Sequence, residues 1–462
     1  METPTMNRAQ LMGEQKIFRL LLRFSVPAVI GMMVQALYNV VDRVYIGHAV
    51  GSIGIGATTI AMPMMLIGFG FALLIGIGAN ALVSIRLGEQ RQDKAEQVLG
   101  NATVMLLISS TVLTILGLLF TTPALKFFGA TDTILPYARD YIRIIMMGWV
   151  IQTIGFGLNN FIRGEGNPRM AMLTMLIGSI LNMTLDPVFI FGLGWGMKGA
   201  ATATVIAQTI STAWVLYYFL SGRSILKIKV KYFRLEKAVV WRILAVGFAP
   251  FVMHITDSMM SALVNNQLKI YGGNLGISVL GIIISLMMII FMFIIGVSQG
   301  VQPIIGYNYG ALKYDRLKQA LGQAILVVTC GVLAGYVAIM LFPTYLVRIF
   351  NKEDQALIEL GGHALRIFFL LLPLVGFQAI ASNFFQAIGK AKQASFLVLS
   401  RTVLLQVPGI LLLPHFFGLD GVWLATPVSI GGSSLITGIF LFVTLRHLKK
   451  TSRHRPERPV PF

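Results

Sequence analysis

The sequence predicts an all-α, polytopic membrane protein with about 12 transmembrane helices in two pseudo-symmetric six-helix bundles. Three observations lead to this prediction: an apolar composition, a series of apolar runs of membrane length, and an internal repeat. Of the 462 residues, 56% are hydrophobic and only 12% are charged, and the mean hydropathy is +0.78. A chain this apolar is expected to lie in a bilayer rather than to fold as a soluble domain.

The apolar runs recur about 12 times, and each is long enough to cross a hydrocarbon core of about 30 Å. They lack the two-residue alternation of barrel strands, so we expect helices. The first run is longer than the apolar region of a signal peptide and should remain as helix one. The predicted spans are 20–46, 53–80, 98–120, 136–161, 169–191, 198–220, 241–268, 275–303, 320–342, 359–386, 393–415 and 421–445.

Basic residues are concentrated in alternate loops, which explains the net charge of +19 without a nucleic-acid partner. Arg91, Arg169, Lys313 and Lys392 mark four of these loops, whereas the loops between them carry only scattered cations. The positive-inside rule therefore predicts a multi-pass membrane protein with both termini in the cytoplasm. The bilayer is an expected partner, and nucleic acid is not.

The two halves of the chain repeat each other at an offset of 222 or 223 residues, so that Gly88 corresponds to Gly310 and Asp93 to Asp315. Both halves begin on the same side, which predicts two parallel lobes around a central cavity. The predicted division is an N-lobe over 1–220, a cytoplasmic basic linker over 221–240, a C-lobe over 241–446 and a basic cytoplasmic tail over 447–462.

Enzyme signatures in the sequence are contradicted by their context. Residues 296–300 (GVSQG) match a nucleophile elbow but lie in an apolar span, and residues 194–199 (GWGMKG) match a dinucleotide fingerprint with no preceding strand. A Walker-type phosphate loop is absent from the sequence, and the lone Cys330 offers neither a disulfide nor a thiolate metal cluster. We therefore expect no enzyme, no catalytic residues and no cofactor, and any uphill transport would use an ion gradient.

Asp42 is the first of three acids inside predicted spans that stand out as candidates, since an Asp at a helix centre costs about 2.5–3.5 kcal/mol on insertion scales. It follows Gln35 and Tyr38 at helical spacing, so the three side chains share a face that we expect to line the substrate cavity. The alternative is an interfacial Asp paired with Arg43. Its repeat counterpart is the uncharged Asn265, so the N-terminal half is expected to carry the ion coupling.

Asp186 and Asn182 are four residues apart and so lie on one helix face, immediately before Pro187. Thr204 adds a hydroxyl from the next span. Carboxylate, amide and hydroxyl oxygens suit Na⁺, and two nearby carboxylates would also favour proton uptake. The sequence leaves open whether H⁺ or Na⁺ binds, and an Asp-Pro turn with plain helix packing is the structural alternative.

Five further residues are candidates for the substrate cavity. Asp257, one turn from His254, is the strong acid deep in the second half. Asn159 and Asn160 would either line the cavity or join helices by hydrogen bonds. Methionines such as Met288 mostly serve core packing, but a flexible thioether also suits a pocket that accepts many apolar shapes.

These motifs resemble the multidrug and toxic compound extrusion (MATE) family, in its MepA-type and DinF-like branch. The resemblance spans essentially the whole chain and rests on helix one, with Pro27, Gln35, Tyr38 and Asp42, and on residues 182–204. It implies a monomeric antiporter of the bacterial plasma or inner membrane that exchanges lipophilic, often cationic, drugs, dyes and toxic compounds for H⁺ or Na⁺ by alternating access. The alternative is a lipid-linked precursor flippase of similar architecture. Extra helices or a strongly cationic cavity would favour this alternative.

The resemblance also implies roles for single residues. Pro27 would mark a helix that bends on protonation. NorM-like members emphasise an acid in helix seven, near but one residue away from the position of Asp257. The cation site, open to H⁺ or to Na⁺ as a metal ion, would be formed by Asp42, Asn182, Asp186 and Thr204.

Overall fold

A computed structural model describes residues 8–350 and 354–453, and this part of the chain is helical without strands. The all-α prediction is confirmed. π-helical turns occupy Val188–Gly192 and Ser400–Gln406, and a 3-10 turn occupies Val230–Tyr232. The α-helices are α1 Arg8–Glu14, α2 Ile17–Val50, α3 Ser52–Gly88, α4 Gln92–Leu119, α5 Thr121–Phe127, α6 Leu135–Gly164, α7 Pro168–Pro187, α8 Gly196–Leu220, α9 Lys237–Tyr271, α10 Gly273–Gly310, α11 Tyr314–Leu341, α12 Pro343–Phe350, α13 Gln355–Phe368, α14 Leu372–Ala387, α15 Ala391–Leu399, α16 Val407–Phe417 and α17 Leu419–Arg453.

The described residues contain 11 helical segments that are long and apolar enough to cross a membrane, and a twelfth if the bent pair α13 and α14 counts as one span. That pair is bent by 45°. The prediction of about 12 spans is confirmed. Helices α3 and α10 have 37 and 38 residues, about 55 Å at 1.5 Å per residue, so they extend well beyond a 30 Å core.

The two lobes meet along two crossed helix pairs, α3 with α9 and α2 with α10. Each helix of one pair is the repeat counterpart of a helix in the other pair. At the centre, Asn80 Nδ2 of α3 donates to Gln302 Oε1 of α10 at 3.4 Å, across 222 residues of sequence. Two repeat counterparts therefore touch each other at the boundary between the lobes.

We call the end of the bundle that carries Arg91, Arg169, Lys313 and Lys392 the basic end. Here the backbones of α3 and α10 lie in direct contact. A Cβ placed on Gly88 would lie 2.0 Å from the Tyr307 carbonyl oxygen, and one on Gly310 would lie 2.0 Å from the Ile85 carbonyl oxygen. The contact is reciprocal because both partners in it are repeat counterparts, and it closes the basic end between the lobes.

Helix α1 covers this closed end by bonding to the C-lobe. Its last carbonyls accept from Asn308 Nδ2, at 3.0 Å to Met12, and from Lys313 Nζ, at 3.0 Å to Gly13. Arg316 donates to the carbonyl of Gln15, just after the helix. The first described helix is thus held by residues about 300 positions away in sequence.

The linker between the lobes is fastened to the N-lobe through Glu165. This buried carboxylate accepts from Ser224 Oγ at 2.5 Å, from the amides of Ile225 and Leu226 at 3.0 and 3.3 Å, and from the hydroxyl of Tyr218. Burial raises the pKa of Glu165, and these four donors only partly offset the rise.

Further along the linker, Glu96 and Asn101 of α4 form a second fastening. Glu96 pairs with Lys229 Nζ at 2.5 Å, and this hydrogen bond raises the pKa of Lys229. Asn101 Oδ1 accepts from the Glu236 amide at 2.8 Å, and its Nδ2 donates to the Tyr232 carbonyl at 3.1 Å. Helix α9 begins immediately afterwards, so the helix starts inside the segment 221–240 that the sequence predicts as linker.

Candidate ion and substrate sites

Helices α7 and α8 bring Asn182, Asp186 and Thr204 together inside the N-lobe. The Asn182 Nδ2 group donates to Asp186 Oδ1 at 3.3 Å and to Thr204 Oγ1 at 3.1 Å. Asp186 is completely buried, Asn182 is 1% exposed, and Thr204 Oγ1 itself donates to the Ala200 carbonyl at 3.0 Å. Three of the four residues predicted as a cation site are therefore in one hydrogen-bonded cluster.

The backbone is interrupted at this cluster. Pro187 ends α7 and has no N–H to donate to the carbonyl of Met183, four residues earlier. The chain continues as the π-helical turn Val188–Gly192, closed by the Leu193 amide on the Val188 carbonyl at 2.9 Å. π-Helical turns are frequent at functional sites.

Asp42 of α2 lies within electrostatic reach of this cluster. We call Asp42, Asn182, Asp186 and Thr204 together the acid site. The charges of Asp42 and Asp186 are close enough to repel each other, and the hydroxyls of Tyr38 and Tyr141 lie within electrostatic reach of both acids. The Arg43 guanidinium donates to Met62 Sδ at 3.6 Å, and no ion pair joins it to Asp42 in the described structure. Tyr141 was not among the residues that the sequence singled out.

Three oxygens of this acid site lack a hydrogen-bond donor within the described residues: Asp42 Oδ1, Asn182 Oδ1 and Asp186 Oδ2. All three are buried acceptors, and a buried acceptor without a donor is costly. The set suits a proton or a small monovalent cation that prefers oxygen ligands. In the described ranges no group of three or more His, Cys, Asp or Glu side chains converges as a divalent metal site would require.

Next to the acid site, two small cavities of about 50 Å³ each form what we call the N-lobe cavity. Gln35 and Tyr38 line both, as does Gln208 of α8, which sequence reasoning missed. Asn159 lines one of them. The helical spacing of Gln35, Tyr38 and Asp42 thus leads from the cavity wall to the acid site along one face of α2.

Asn160 takes a different position from its neighbour Asn159. It is buried, its Nδ2 donates to the Phe156 carbonyl at 3.0 Å, and its Oδ1 accepts from Arg163 at 2.6 Å. The same buried guanidinium donates to Gln299 of α10, so Arg163 joins the two lobes. Arg163 lies in the last turn of α6, beyond the predicted span 136–161, so the sequence did not single it out as a site residue.

The remaining candidates are His254, Met288, Pro27 and Asp257. The His254 ring packs edge-on against Phe69 at 6.3 Å between ring centroids, and Met288 is 39% exposed. Neither is among the residues that line the cavities described here. Pro27 is buried within α2. The side chain of Asp257 lies outside the described part of the structure.

A larger cavity of about 200 Å³ lies in the C-lobe, and we call it the C-lobe cavity. Its wall comes from α9, α10, α14, α15 and the π-helical turn Ser400–Gln406, with Ile77 as the one N-lobe residue described on it. Eight of its lining residues lie 223 positions after lining residues of the N-lobe cavity. Gln378 thus corresponds to Gly155, and Arg401 to Gly178. The two cavities are repeat copies.

The sequence profile of the MatE family matches residues 27–188 and 250–412, one stretch in each lobe. The chain belongs to the MatE family. The resemblance found in the sequence is confirmed, and the family consists of membrane transporters rather than enzymes. The two matched stretches contain Asp42, Asn182 and Asp186 and most of both cavity walls, whereas Thr204 lies beyond the first stretch.

Similar proteins agree in length and in fold. The multidrug export protein MepA of Staphylococcus haemolyticus is 27% identical over 410 residues, covering 88% of this chain and 90% of that protein. The MATE multidrug transporter DinF-BH, whose structure holds a bound ligand, is 40% identical, with a TM-score of 0.86 over 92% of this chain and 95% of that one. An outward-facing MATE family transporter gives a TM-score of 0.91 at 26% identity, covering 97% and 100%.

Proposed function

We propose that this protein is a secondary active multidrug efflux transporter that exchanges lipophilic, often cationic, compounds for H⁺ or Na⁺. The observation that carries the proposal is the set of three buried acceptor oxygens without donors, on Asp42, Asn182 and Asp186, beside the N-lobe cavity. Relatives named for multidrug export, and a multidrug transporter of similar structure with a ligand bound, support the choice of drug-like substrates.

The exchange follows from charge competition at one place. With both carboxylates ionised, the acid site attracts a cationic compound in the adjoining cavity. A proton or Na⁺ that binds Asp42 and Asp186 removes this attraction, and it relieves their mutual repulsion. Because Pro27 interrupts the hydrogen bonding of α2, a change at Asp42 can alter the bend of the helix and so the shape of the cavity.

Coupling requires only that each ligand, the ion and the exported compound, binds the two conformational states of the lobes with different affinities. One charge that crosses about 100 mV supplies about 2.3 kcal/mol, roughly a fiftyfold concentration ratio. In this proposal the basic end faces the cytoplasm of a bacterial cell, with both termini on that side. The closed contact of α3 and α10 then shuts the cytoplasmic side.

Asp42→Asn and Asp186→Asn test the acid site in cells that accumulate ethidium. Each variant should insert at wild-type level but lose most of the efflux, because neither neutral amide can exchange a cation. Asp132→Asn is the matched control, since Asp132 is an exposed acid away from both cavities. Normal efflux by both acid-site variants would refute the proposal.

The driving ion needs a separate measurement. Purified protein in liposomes loaded with ethidium should transport it under an imposed pH gradient, an imposed Na⁺ gradient, or both. A gradient that drives transport in the wild type and fails in Asp186→Asn identifies the ion. If neither gradient changes the rate of ethidium transport, the transport is not coupled to H⁺ or Na⁺.

A further inference from the structure

The N-lobe cavity has a buried arginine on its wall, on the side that faces the basic end of the bundle. Helix α6 ends at the basic end, and α2 begins there. Arg163 lies one residue before the end of α6, whereas Asp42 lies 25 residues after the start of α2 at Ile17. Arg163 is 3% exposed and lines the cavity together with Gln35 and Tyr38. The cavity therefore lies between the acid site and this guanidinium.

The charge of Arg163 is not neutralised by a carboxylate. An arginine stays protonated in proteins, and no ion pair joins Arg163 to an acid in the described structure. Its partners are neutral, since it donates to Asn160 Oδ1 at 2.6 Å and to Gln299 Oε1. Glu165, two residues later, accepts instead from Ser224 and from the linker amides. The two amide oxygens hold the guanidinium in place without cancelling its charge.

The arginine lies in the same half of the chain as the acid site, and its repeat counterpart is uncharged. That counterpart is Gln386, 223 positions later, which lines the C-lobe cavity and donates to the Val246 carbonyl at 3.3 Å. The counterpart of Asp42 is likewise the uncharged Asn265. A buried charge in a membrane helix is costly and marks a functional site. The arginine and Asp42 therefore differ from their repeat counterparts in the same way, which connects the arginine with the ion site.

The wall of the N-lobe cavity suits water. Three polar atoms on it lack a hydrogen-bond partner among the described residues: Trp149 Nε1, Thr153 Oγ1 and Asn159 Oδ1. Each of these side chains is at most 4% exposed, so bulk solvent does not satisfy them. The two cavities of about 50 Å³ each have room for several waters at about 10–15 Å³ per water. Such a file of waters would conduct cations from the acid site toward the basic end unless a charge opposed them.

We propose that Arg163 is an electrostatic barrier that keeps cations of the N-lobe cavity from leaving toward the basic end. The proposal rests on the proposed function, in which the acid site binds H⁺ or Na⁺, and it adds the residue that prevents leakage of this ion without export of a compound. A fixed charge about 6 Å away, at an effective dielectric constant of about 20, lowers the occupancy of a second like charge about a hundredfold. Because Gln299 belongs to the C-lobe, separation of the lobes at the basic end removes one of the two partners of the guanidinium. The barrier is then held in place only while that end is closed.

A leak assay in liposomes tests the barrier without any exported compound. Valinomycin and a K⁺ gradient set a negative interior potential, the enclosed dye pyranine measures H⁺ entry, and radioactive Na⁺ measures Na⁺ entry. The wild type should be no more permeable to either ion than protein-free liposomes. Arg163→Gln, which copies the residue type of the repeat counterpart, should admit H⁺, Na⁺ or both at least tenfold faster than the wild type. Arg163→Met takes its place, with the same expected result, if the glutamine variant does not insert.

Four controls separate the charge of Arg163 from general effects. Arg169→Gln removes an exposed arginine at the same end and should leave the leak at the wild-type level. Arg163→Lys keeps the positive charge and should leak less than Arg163→Gln. Gln299→Leu removes the hydrogen bond between the lobes but keeps the charge, so it should also leak less than Arg163→Gln. Entry of radiolabelled glycerol, which is neutral, should be equal in all variants.

Equal ion leaks in the wild type and an inserted Arg163→Gln would overturn the proposal. So would equal leaks in Gln299→Leu and Arg163→Gln, or faster glycerol entry in Arg163→Gln, because the contact between the lobes rather than the charge would then be the cause. Asp186→Asn added to Arg163→Gln should lower the leak again, and an unchanged leak would show that the ions bypass the acid site. The proposed function fails on a different result, normal ethidium efflux by Asp42→Asn and Asp186→Asn, so the two failures are distinguishable.

Discussion

Alanine at Gly88 or Gly310 should open the basic end of the bundle. In the structure a Cβ on either glycine would lie 2.0 Å from a carbonyl oxygen of the facing helix, whereas ordinary contact begins at 3.4 Å. The two helices must therefore separate by more than about 1 Å, and because the obstacle is backbone on both sides, no side-chain rotation relieves it.

The size of the effect follows from the cost of overpacking, about 1–3 kcal/mol at each position. This cost falls only on the state in which α3 and α10 touch. Each alanine should therefore shift the population toward states open at the basic end by about 5- to 150-fold. The double variant Gly88→Ala, Gly310→Ala should shift it further.

Spin labels on the repeat counterparts Asp93 and Asp315 measure the separation, since both are exposed in the first turns of α4 and α11. Asp93→Cys and Asp315→Cys are introduced together with Cys330→Ser, because Cys330 is exposed and would also be labelled. Double electron–electron resonance should show a longer distance gaining weight in the alanine variants.

Gly281→Ala is the matched control, because Gly281 also lies in α10 but a Cβ there meets nothing within 4 Å. Its distance distribution should equal that of the parent protein. If Gly88→Ala and Gly310→Ala give the same distribution as Gly281→Ala, the contact between α3 and α10 does not set the equilibrium between the states.

Two further predictions concern stability, measured by thermal unfolding in detergent. Leu312 has φ of 58°, in the left-handed region that favours glycine, so Leu312→Gly should raise the free energy of unfolding by about 0.5–1 kcal/mol. As a control, Leu333→Gly inside α11 should lower it by about 1 kcal/mol. A lower midpoint for Leu312→Gly than for the wild type would contradict the reasoning. Since burial raises the pKa of Glu165 in the folded protein, the wild type should lose stability as the pH rises from the ordinary glutamate pKa, about 4.3, through the raised folded value. Glu165→Gln should lack this slope, Glu359→Gln at an exposed site should keep it, and an unaltered slope in Glu165→Gln would show that another group causes it.

Much of the fold could be predicted because membrane spans leave a strong signal in a single sequence. The single predicted span 359–386 missed the bend between α13 and α14 although the sequence marks it, because Pro373 in the first turn of α14 has no N–H to donate to the carbonyl of Phe369. The predicted ends at residues 80 and 303 were also early. Helices α3 and α10 continue to Gly88 and Gly310 because their hydrogen bonding does not stop where hydropathy falls.

The acid site could be predicted in part, because helical spacing also leaves a signal in a single sequence. Asn182 and Asp186 share a helix face by spacing alone, and in the structure the predicted Thr204 accepts a hydrogen bond from Asn182. Tyr141 and Gln208 carried no such signal, because nothing in a sequence shows which face of one helix meets another. Arg401, on the wall of the C-lobe cavity, did carry one: it is an ionisable residue inside the predicted span 393–415, and the reasoning applied to aspartates within spans applies equally to an arginine there.

The hydrogen bonds and the ion pair that hold the linker to the N-lobe determine where the chain bends when the lobes move. Because Glu165, Glu96 and Asn101 hold it from Ser224 to Glu236, the linker travels with the N-lobe as one body. It is therefore not a flexible connection between the two lobes. Bending of the covalent connection is confined to the junction at Lys237, where α9 begins. A protein that binds the basic linker would thus contact only the N-lobe, and the C-lobe could still move relative to it.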